Sequence, residues 1–179
     1  MLAQEELVIL VDDQDNEIGM MEKLEAHRKG LLHRAISVFV FNTRGEMLLQ
    51  QRAASKYHSP LLWTNASCSH PRQNEATIAA AKRRLGEEMG MIAALSPAFS
   101  FMYHAALGNG LTEHEYDHVF TGICDDAPRI NEAEVASWRY VSRAELEAEI
   151  TAGPQQFTEW FKICMKDYSA YLWPAAVVA

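Results

Sequence analysis

The chain has 179 residues, 49% of them hydrophobic and 22% charged, so we expect residues 1–179 to form one globular domain with a buried core. Sixteen basic and 24 acidic residues give a net charge of −8, which argues against a general nucleic-acid binder, because such proteins need a basic surface. No basic segment precedes the first apolar run and no run approaches the roughly 20 residues of a membrane helix, so we expect no signal peptide, no membrane partner and a cytoplasmic location.

The first third of the chain predicts mainly strands. Leu7–Val11 is a short apolar run followed by two aspartates, which predicts a strand and a turn. Ile36–Phe41 is rich in β-branched and aromatic residues, Asn42–Gly45 has turn composition, and Met47–Gln51 resumes the apolar run, so a hairpin is predicted. Leu61–Ser69, which lies between two prolines, is predicted to be irregular.

A helix is predicted over Asn74–Met89. Asn74 is the predicted N-cap, and Gly90 is well placed to end the helix. One face of this helix carries apolar side chains at helical spacing, namely Ile78, Ala81, Leu85 and Met89.

The second half of the chain predicts strands and then helices. Three runs have strand composition, Phe99–Leu107, Glu113–Ile123 and Ser137–Val141. A capping-box pattern opens a short helix over Ser142–Ile150, and an apolar stripe predicts a final amphipathic helix over Gln155–Leu172. The order of these elements predicts an α+β domain, an α/β/α sandwich with a mixed sheet.

Five side chains are candidate metal ligands: His27, His33, His70, Glu113 and Glu115. Because alternate residues of a strand share a face, Glu113 and Glu115 should point the same way, with His114 opposite. Two carboxylates on one face repel each other unless a cation or a shared proton lies between them, and imidazole with carboxylate suits Zn²⁺ or Mn²⁺. The alternative is that the histidines are structural and the glutamates form a solvated edge.

Cys68 lies in the polar segment Trp63–Pro71, two residues before His70. A cysteine in such surroundings is a candidate for a thiol with a tuned pKa, although most free cysteines are small buried hydrophobes. Cys124 and Cys164 fit that second description, and three cysteines in a chain of this size do not indicate a disulfide scaffold.

The predicted helix contains most of a Nudix box. From Ser69 the chain matches the pattern Gly-x5-Glu-x7-Arg-Glu-U-x-Glu-Glu-x-Gly-U, with U an aliphatic residue, at most positions. Ser69 replaces the glycine, and Arg84 replaces the first glutamate of the hydrolytic metal cluster. The pattern therefore indicates that the fold is kept and the chemistry has changed.

Around this box the chain resembles the type I isopentenyl-diphosphate isomerase family from about Leu7 to about Trp160. The motifs that carry the resemblance occur in family order: Glu22-Lys-Leu-Glu-Ala-His27 with His33, Gln51-Arg-Ala-Ala-Ser-Lys56, Trp63-Thr-Asn-Ala-Ser-Cys68-Ser-His70-Pro71, Phe101-Met-Tyr103 and Thr112-Glu-His-Glu115.

The resemblance implies interconversion of isopentenyl and dimethylallyl diphosphate by protonation of the alkene and deprotonation of a tertiary carbocation. It implies that Cys68 and Glu115 transfer protons on opposite faces of the substrate, with assistance from Tyr103. The five candidate ligands would then hold one Mn²⁺ or Zn²⁺. A Mg²⁺ shared with Glu88 would accompany the diphosphate, which would bind Lys23, Arg52, Lys56 and Arg84, and Trp160 would offer its ring to the carbocation or be a plain core residue.

The sequence leaves two alternative functions. A Nudix hydrolase of a nucleoside diphosphate derivative would need the full glutamate cluster, and Arg84 counts against it. A non-catalytic Nudix-fold binding module would not need Cys68 together with the histidines and paired glutamates. The expected partner is a small diphosphate, and we expect a monomer or a weak homo-oligomer. The remaining histidines, His58, His104, His114 and His118, receive no role.

Overall fold

The computed structural model describes residues 6–173 and contains a mixed sheet of nine strands with helices on both faces. The strands are β1 (Leu7–Val11), β2 (Glu17–Glu22), β3 (His33–Phe41), β4 (Met47–Arg52), β5 (Trp63–Thr64), β6 (Ser67–Ser69), β7 (Ala94–Gly108), β8 (Leu111–Ile123) and β9 (Val135–Val141). The helices are α1 (Lys23–Lys29), α2 (Thr77–Met89), α3 (Arg143–Ala152), α4 (Glu159–Asp167) and α5 (Ser169–Leu172), with a 3₁₀ turn at Pro154–Gln156. Residues 1–5, on which the prediction of no signal peptide partly rests, lie outside the described residues. Within 6–173, no helix has the length and apolarity needed to cross a membrane.

Strand β3 is the centre of the sheet. It pairs in parallel with β8, in a register that places His33 opposite Glu115, and β8 pairs antiparallel with β7. On its other side β3 pairs antiparallel with β6, so that Ser37 lies opposite Cys68. Three segments that are distant in sequence therefore reach one region of the sheet.

The two faces of the sheet pack against different helices. Ile36, Val38 and Val40 of β3 lie in one core cluster with Ala81 and Leu85 of α2. The alternate residues Phe39 and Phe41 lie in a second cluster with residues of the C-terminal helices, namely Leu146, Phe161, Cys164 and Leu172. The predicted α/β/α sandwich is confirmed. Cys164 is buried as predicted, whereas Cys124 is half-buried.

The start of α2 differs from the prediction. The helix begins at Thr77 rather than at Asn74, and the residue before it, Ala76, gives no side-chain cap. Asn74 has a φ of 62°, a left-handed conformation that cannot begin a helix. The Glu75 carboxylate accepts the Arg72 N–H (2.8 Å) and pairs with Arg83 (2.7 Å), which holds this turn outside the helix.

The predicted end of α2 is confirmed. Gly90 has a φ of 61°, and its N–H donates to the Gly86 carbonyl. A Cβ at this position would lie 2.4 Å from the carbonyl oxygen of Arg129, so only glycine fits without a shift of the backbone.

The single final helix predicted over Gln155–Leu172 is wrong. The segment is divided into the 3₁₀ turn, α4 and α5, and Thr158 is an extended residue between the first two. Its N–H donates to the carbonyl of Trp63, a tertiary contact that competes with helix formation. Four short elements, β2, α1, β5 and β6, were also missed, because their sequences have weak hydrophobic periodicity.

Candidate active site and metal centre

One cavity, with a volume of about 60 Å³, is lined by most of the predicted site residues: Lys23, Arg52, Lys56, Cys68, His70, Arg84, Tyr103, Glu113, Glu115 and Trp160. His27 and His33 are fully buried beside it, and their rings lie 4.9 Å apart. Glu88 does not line the cavity but contacts Arg84, which does. The fold thus gathers the predicted set from α1, β3, the end of β4 and the loop after it, β6 and the residue after it, α2, β7, β8 and α4.

Two buried histidines are oriented by backbone carbonyls. Nδ1–H of His27 donates to the carbonyl of Lys23 (2.6 Å), and Nδ1–H of His33 donates to the carbonyl of Leu31 (2.8 Å). A carbonyl only accepts, so Nδ1 carries a proton in both rings, and in the neutral form of either ring the lone pair lies on Nε2; neither Nε2 atom has a hydrogen-bond partner. Burial lowers the pKa of His27, which keeps this ring neutral.

The donor set fits a divalent metal ion. The ligand atoms of His27, His33, His70 and Glu115 lie within 4.8 Å of one another, and all four residues are buried. Buried polar atoms without partners are rare and unfavourable, and a bound ion would accept both unpaired Nε2 lone pairs. Glu113 approaches the same group, with its Oε1 4.0 Å from Nε2 of His27.

Glu113, Glu115 and Tyr103 form a connected acid–base group. Burial raises the pKa of the Glu115 carboxyl, but the adjacent imidazoles of His33 and His70 outweigh this effect and hold that pKa well below its usual range. Burial and the charge of Glu115 raise the pKa of Glu113 well above its usual range. The Tyr103 oxygen lies 2.6 Å from Glu115 and 2.8 Å from Glu113. Tyr103 has one hydroxyl proton, so it can donate to ionised Glu115 while protonated Glu113 donates to it.

The thiol of Cys68 lies among polar side chains. Nε1–H of Trp160 donates to Sγ (3.1 Å), and the S–H group donates to Oδ1 of Asn65 (3.0 Å). Burial, together with the charges of Asp117 and Glu88, raises the pKa of this thiol, so it is protonated at neutral pH. A protonated thiol is a proton donor that does not attack the substrate as a thiolate would.

Another part of the cavity wall is cationic. Its side chains are paired with carboxylates, namely Lys23 with Glu6 (2.8 Å), Lys56 with Glu134, and Arg84 with Glu88 (2.8 Å) and Glu134 (3.4 Å). Burial lowers the pKa of Arg84, but these carboxylates raise it by more, so its charge is permanent. The Arg52 guanidinium donates to the carbonyls of His58 and Ser59 and lies 5.3 Å from the centre of the Trp160 ring. This wall is suited to a polyanion that replaces the carboxylates.

Several residues of the site lie outside the motifs that the sequence displays. Asp117 is buried two residues after Glu115 on the same face of β8 and accepts a hydrogen bond from Ser37 (2.7 Å), which continued alternation along the strand could have indicated. Glu134 and His58 come from loops, and no local pattern marks them. His114 lies on the opposite face of β8, as predicted, and its Nδ1–H donates to the Gly30 carbonyl.

Comparison with known proteins defines first the class and then the family. A family model for the NUDIX domain matches residues 31–161. The crystal structure of DR0079 from Deinococcus radiodurans, 20% identical, superposes with a TM-score of 0.75 over 91% of this chain and 99% of that chain. The fold is therefore that of a Nudix domain.

Within this class, two proteins that are similar in sequence share one name. The isopentenyl-diphosphate Delta-isomerase of Pectobacterium atrosepticum is 53% identical over 156 residues, 87% of each chain. The protein of the same name from Serratia proteamaculans is 50% identical over 166 residues, 93% of each chain. The chain therefore belongs to the isopentenyl-diphosphate Delta-isomerase family.

Proposed function

We propose that this chain interconverts isopentenyl diphosphate and dimethylallyl diphosphate, with Cys68 and Glu115 as the proton-transferring pair. The observation that carries the proposal is one cavity lined by the Cys68 thiol, by the Glu115 carboxylate and by a cluster of cations. The proposal is supported by the names of relatives that are about half identical over most of their length. The cytoplasmic location, the absence of a nucleic-acid partner and the weak or absent self-association stay predictions.

The reaction needs an acid, a base and protection from water. An unactivated alkene is a poor base, so a positioned acid must protonate the terminal carbon and give a tertiary carbocation. A base then removes a proton from the neighbouring carbon. Cys68 would act on one face of the substrate and Glu115 on the other, with Tyr103 donating to the carboxylate and limiting its motion. Trp160, which is 3% exposed and lines the cavity, excludes water and offers its ring to the cation.

We propose His27, His33, His70, Glu113 and Glu115 as the ligands of one divalent ion, Mn²⁺ or Zn²⁺. When bound, the ion supplies positive charge that restrains Glu115 and tunes its acidity. The Nδ1–H bonds of His27 and His33 to backbone carbonyls prepare both rings for ligation before any ion arrives.

The diphosphate of the substrate would bind Lys23, Arg52, Lys56 and Arg84. Lys23, Lys56 and Arg84 now pair with carboxylates, and the carboxylate oxygens lie where the oxygens of a diphosphate could pair with the same cations. Binding would exchange Glu134 for the diphosphate on Lys56 and Arg84. Glu88 would be released from Arg84 to share a Mg²⁺ with the diphosphate.

The direct test is incubation with isopentenyl diphosphate and Mg²⁺ in deuterated water, followed by NMR. We expect dimethylallyl diphosphate that carries solvent deuterium, because each turnover adds one proton from the protein and removes another from the substrate. Release of phosphate or monophosphate without isomerisation would instead support the Nudix hydrolase alternative.

Removal of the metal should abolish isomerase activity. After dialysis against a strong chelator, we expect isomerase activity to be lost and to return on addition of Mn²⁺ or Zn²⁺ in the presence of Mg²⁺. The assay should also record metal content, and full activity in a metal-free sample would contradict the role given to the histidine cluster. Mg²⁺ alone should not restore activity, because it prefers oxygen ligands over imidazole.

A further inference from the structure

His58 lies at the metal centre although it follows the predicted diphosphate loop. The residue is 8% exposed, and its Nε2 lies 3.8 Å from Oε1 of Glu113. Its ring stacks on that of His27, with 5.9 Å between the ring centres. The ligand atoms of His27, His58 and Glu113 all lie within 4.8 Å of one another.

This second group of donors shares His27 with the first group, which consists of His27, His33, His70 and Glu115. The Nε2 atom of His27 is buried without a partner, and it faces both groups. Two donors of one ion lie about 3 to 3.5 Å apart when each bond is about 2.1 Å long. The Oε1 atom of Glu113 lies 3.8 Å from Nε2 of His58 and 4.0 Å from Nε2 of His27. Each of these distances would have to decrease by between a few tenths of an ångström and about one ångström for both atoms to bind one ion.

We propose that His58 is a ligand of the divalent ion, in an outer donor set with His27 and Glu113 that adjoins the inner donor set of His27, His33, His70 and Glu115. Because His27 belongs to both sets, one ion is bound in either position, and His58 stabilises it at the outer one. The inference rests on the metal centre proposed above and adds a donor from a separate loop.

Ligation by His58 would connect the metal to the cationic wall of the cavity. His58 lies in the loop between Arg52 and Leu62, and its carbonyl accepts a hydrogen bond from the Arg52 guanidinium (3.2 Å). The next residue, Ser59, has a φ of 49°, and Leu61 has a φ of 59°. Non-glycine residues keep this left-handed conformation only where their surroundings hold them. A metal bond at His58 would be one such restraint, and it would position Arg52 for the diphosphate.

The experiment measures metal binding rather than turnover. Metal-free wild type, His58→Ala and His58→Gln are titrated with Zn²⁺ against a chromophoric chelator, and amide hydrogen exchange is recorded for residues 53–62 with and without Zn²⁺. We expect both variants to bind Zn²⁺ about 10- to 100-fold more weakly. We also expect Zn²⁺ to slow exchange in this loop in the wild type and to have no such effect in the variants.

Two reference variants distinguish an error in the role of His58 from an error in the metal centre as a whole. His104→Ala removes an exposed histidine that lines no part of the cavity and should behave as the wild type. His27→Ala removes the shared ligand and should bind least. If the His58 variants match His104→Ala in affinity or in loop protection while His27→Ala loses Zn²⁺, the role of His58 is overturned. If His27→Ala also binds as the wild type, the metal centre itself is wrong. Circular dichroism checks that each variant is folded, and His58→Gln keeps a polar side chain in case the alanine variant is not.

Discussion

Replacement of Cys68 by alanine should reduce isomerisation by about 10²- to 10⁴-fold or more, the contribution that a positioned acid or base makes to proton transfer. The structure places the protonated thiol of Cys68 in the same cavity as Glu115. Alanine removes the proton on one side of the substrate and leaves the metal ligands and the cationic wall in place. The measurement is the rate of conversion of isopentenyl diphosphate, followed by NMR.

The same variant should remain folded. Its main structural loss is the acceptor of the Trp160 N–H, an effect of about 1–3 kcal/mol on the free energy of unfolding. Cys124→Ala is the matched control, because Cys124 is also half-buried and lies outside the cavity. We expect it to keep wild-type turnover. Unchanged turnover in Cys68→Ala, with Cys124→Ala also active, would contradict the assignment of the acid–base pair.

The second large effect is expected for Glu115→Gln, which should lose turnover and metal affinity together. The carboxylate contacts His70 (3.1 Å) and His33 (3.5 Å) and accepts from Tyr103, so one residue belongs to both the donor set and the proton-transfer group. Glutamine has nearly the same shape but cannot carry the negative charge. We expect turnover to fall by about 10²- to 10⁴-fold and Zn²⁺ to bind at least about tenfold more weakly.

The two roles of Glu115 can be separated by adding metal. If the carboxylate only holds the ion, excess Zn²⁺ should refill the site and restore turnover. If it also transfers a proton, as we propose, the refilled variant stays inactive. Glu132→Gln, the same change at an exposed position, is the control and should match the wild type in both measurements. Recovery of activity in metal-saturated Glu115→Gln would remove this residue from the acid–base pair.

Much of the fold was predictable because its determinants are local. Alternation along β8 placed Glu113 and Glu115 on one face, and Gly90 marked the end of α2. The last helix breaks where Thr158 donates to Trp63, 95 positions earlier in the chain, and no local sequence window contains that contact. The late start of α2 has a local cause, because Arg72 and Arg83 hold Glu75 in a turn, but side-chain contacts of this kind follow no hydrophobic period that the sequence pattern displays.

The sequence by itself determined the residue types of the site and the family to which the chain belongs, since both follow from motifs that are contiguous or closely spaced. Only the tertiary structure decided how those residues meet. The parallel pairing of β3 with β8 sets His33 against Glu115, and loop packing brings His58 to Glu113. Burial keeps the proton on the Cys68 thiol, whereas the adjacent imidazoles of His33 and His70 overcome the effect of burial and lower the pKa of Glu115. Distance and dielectric environment govern ligation and pKa values, and both arise from contacts between residues far apart along the chain.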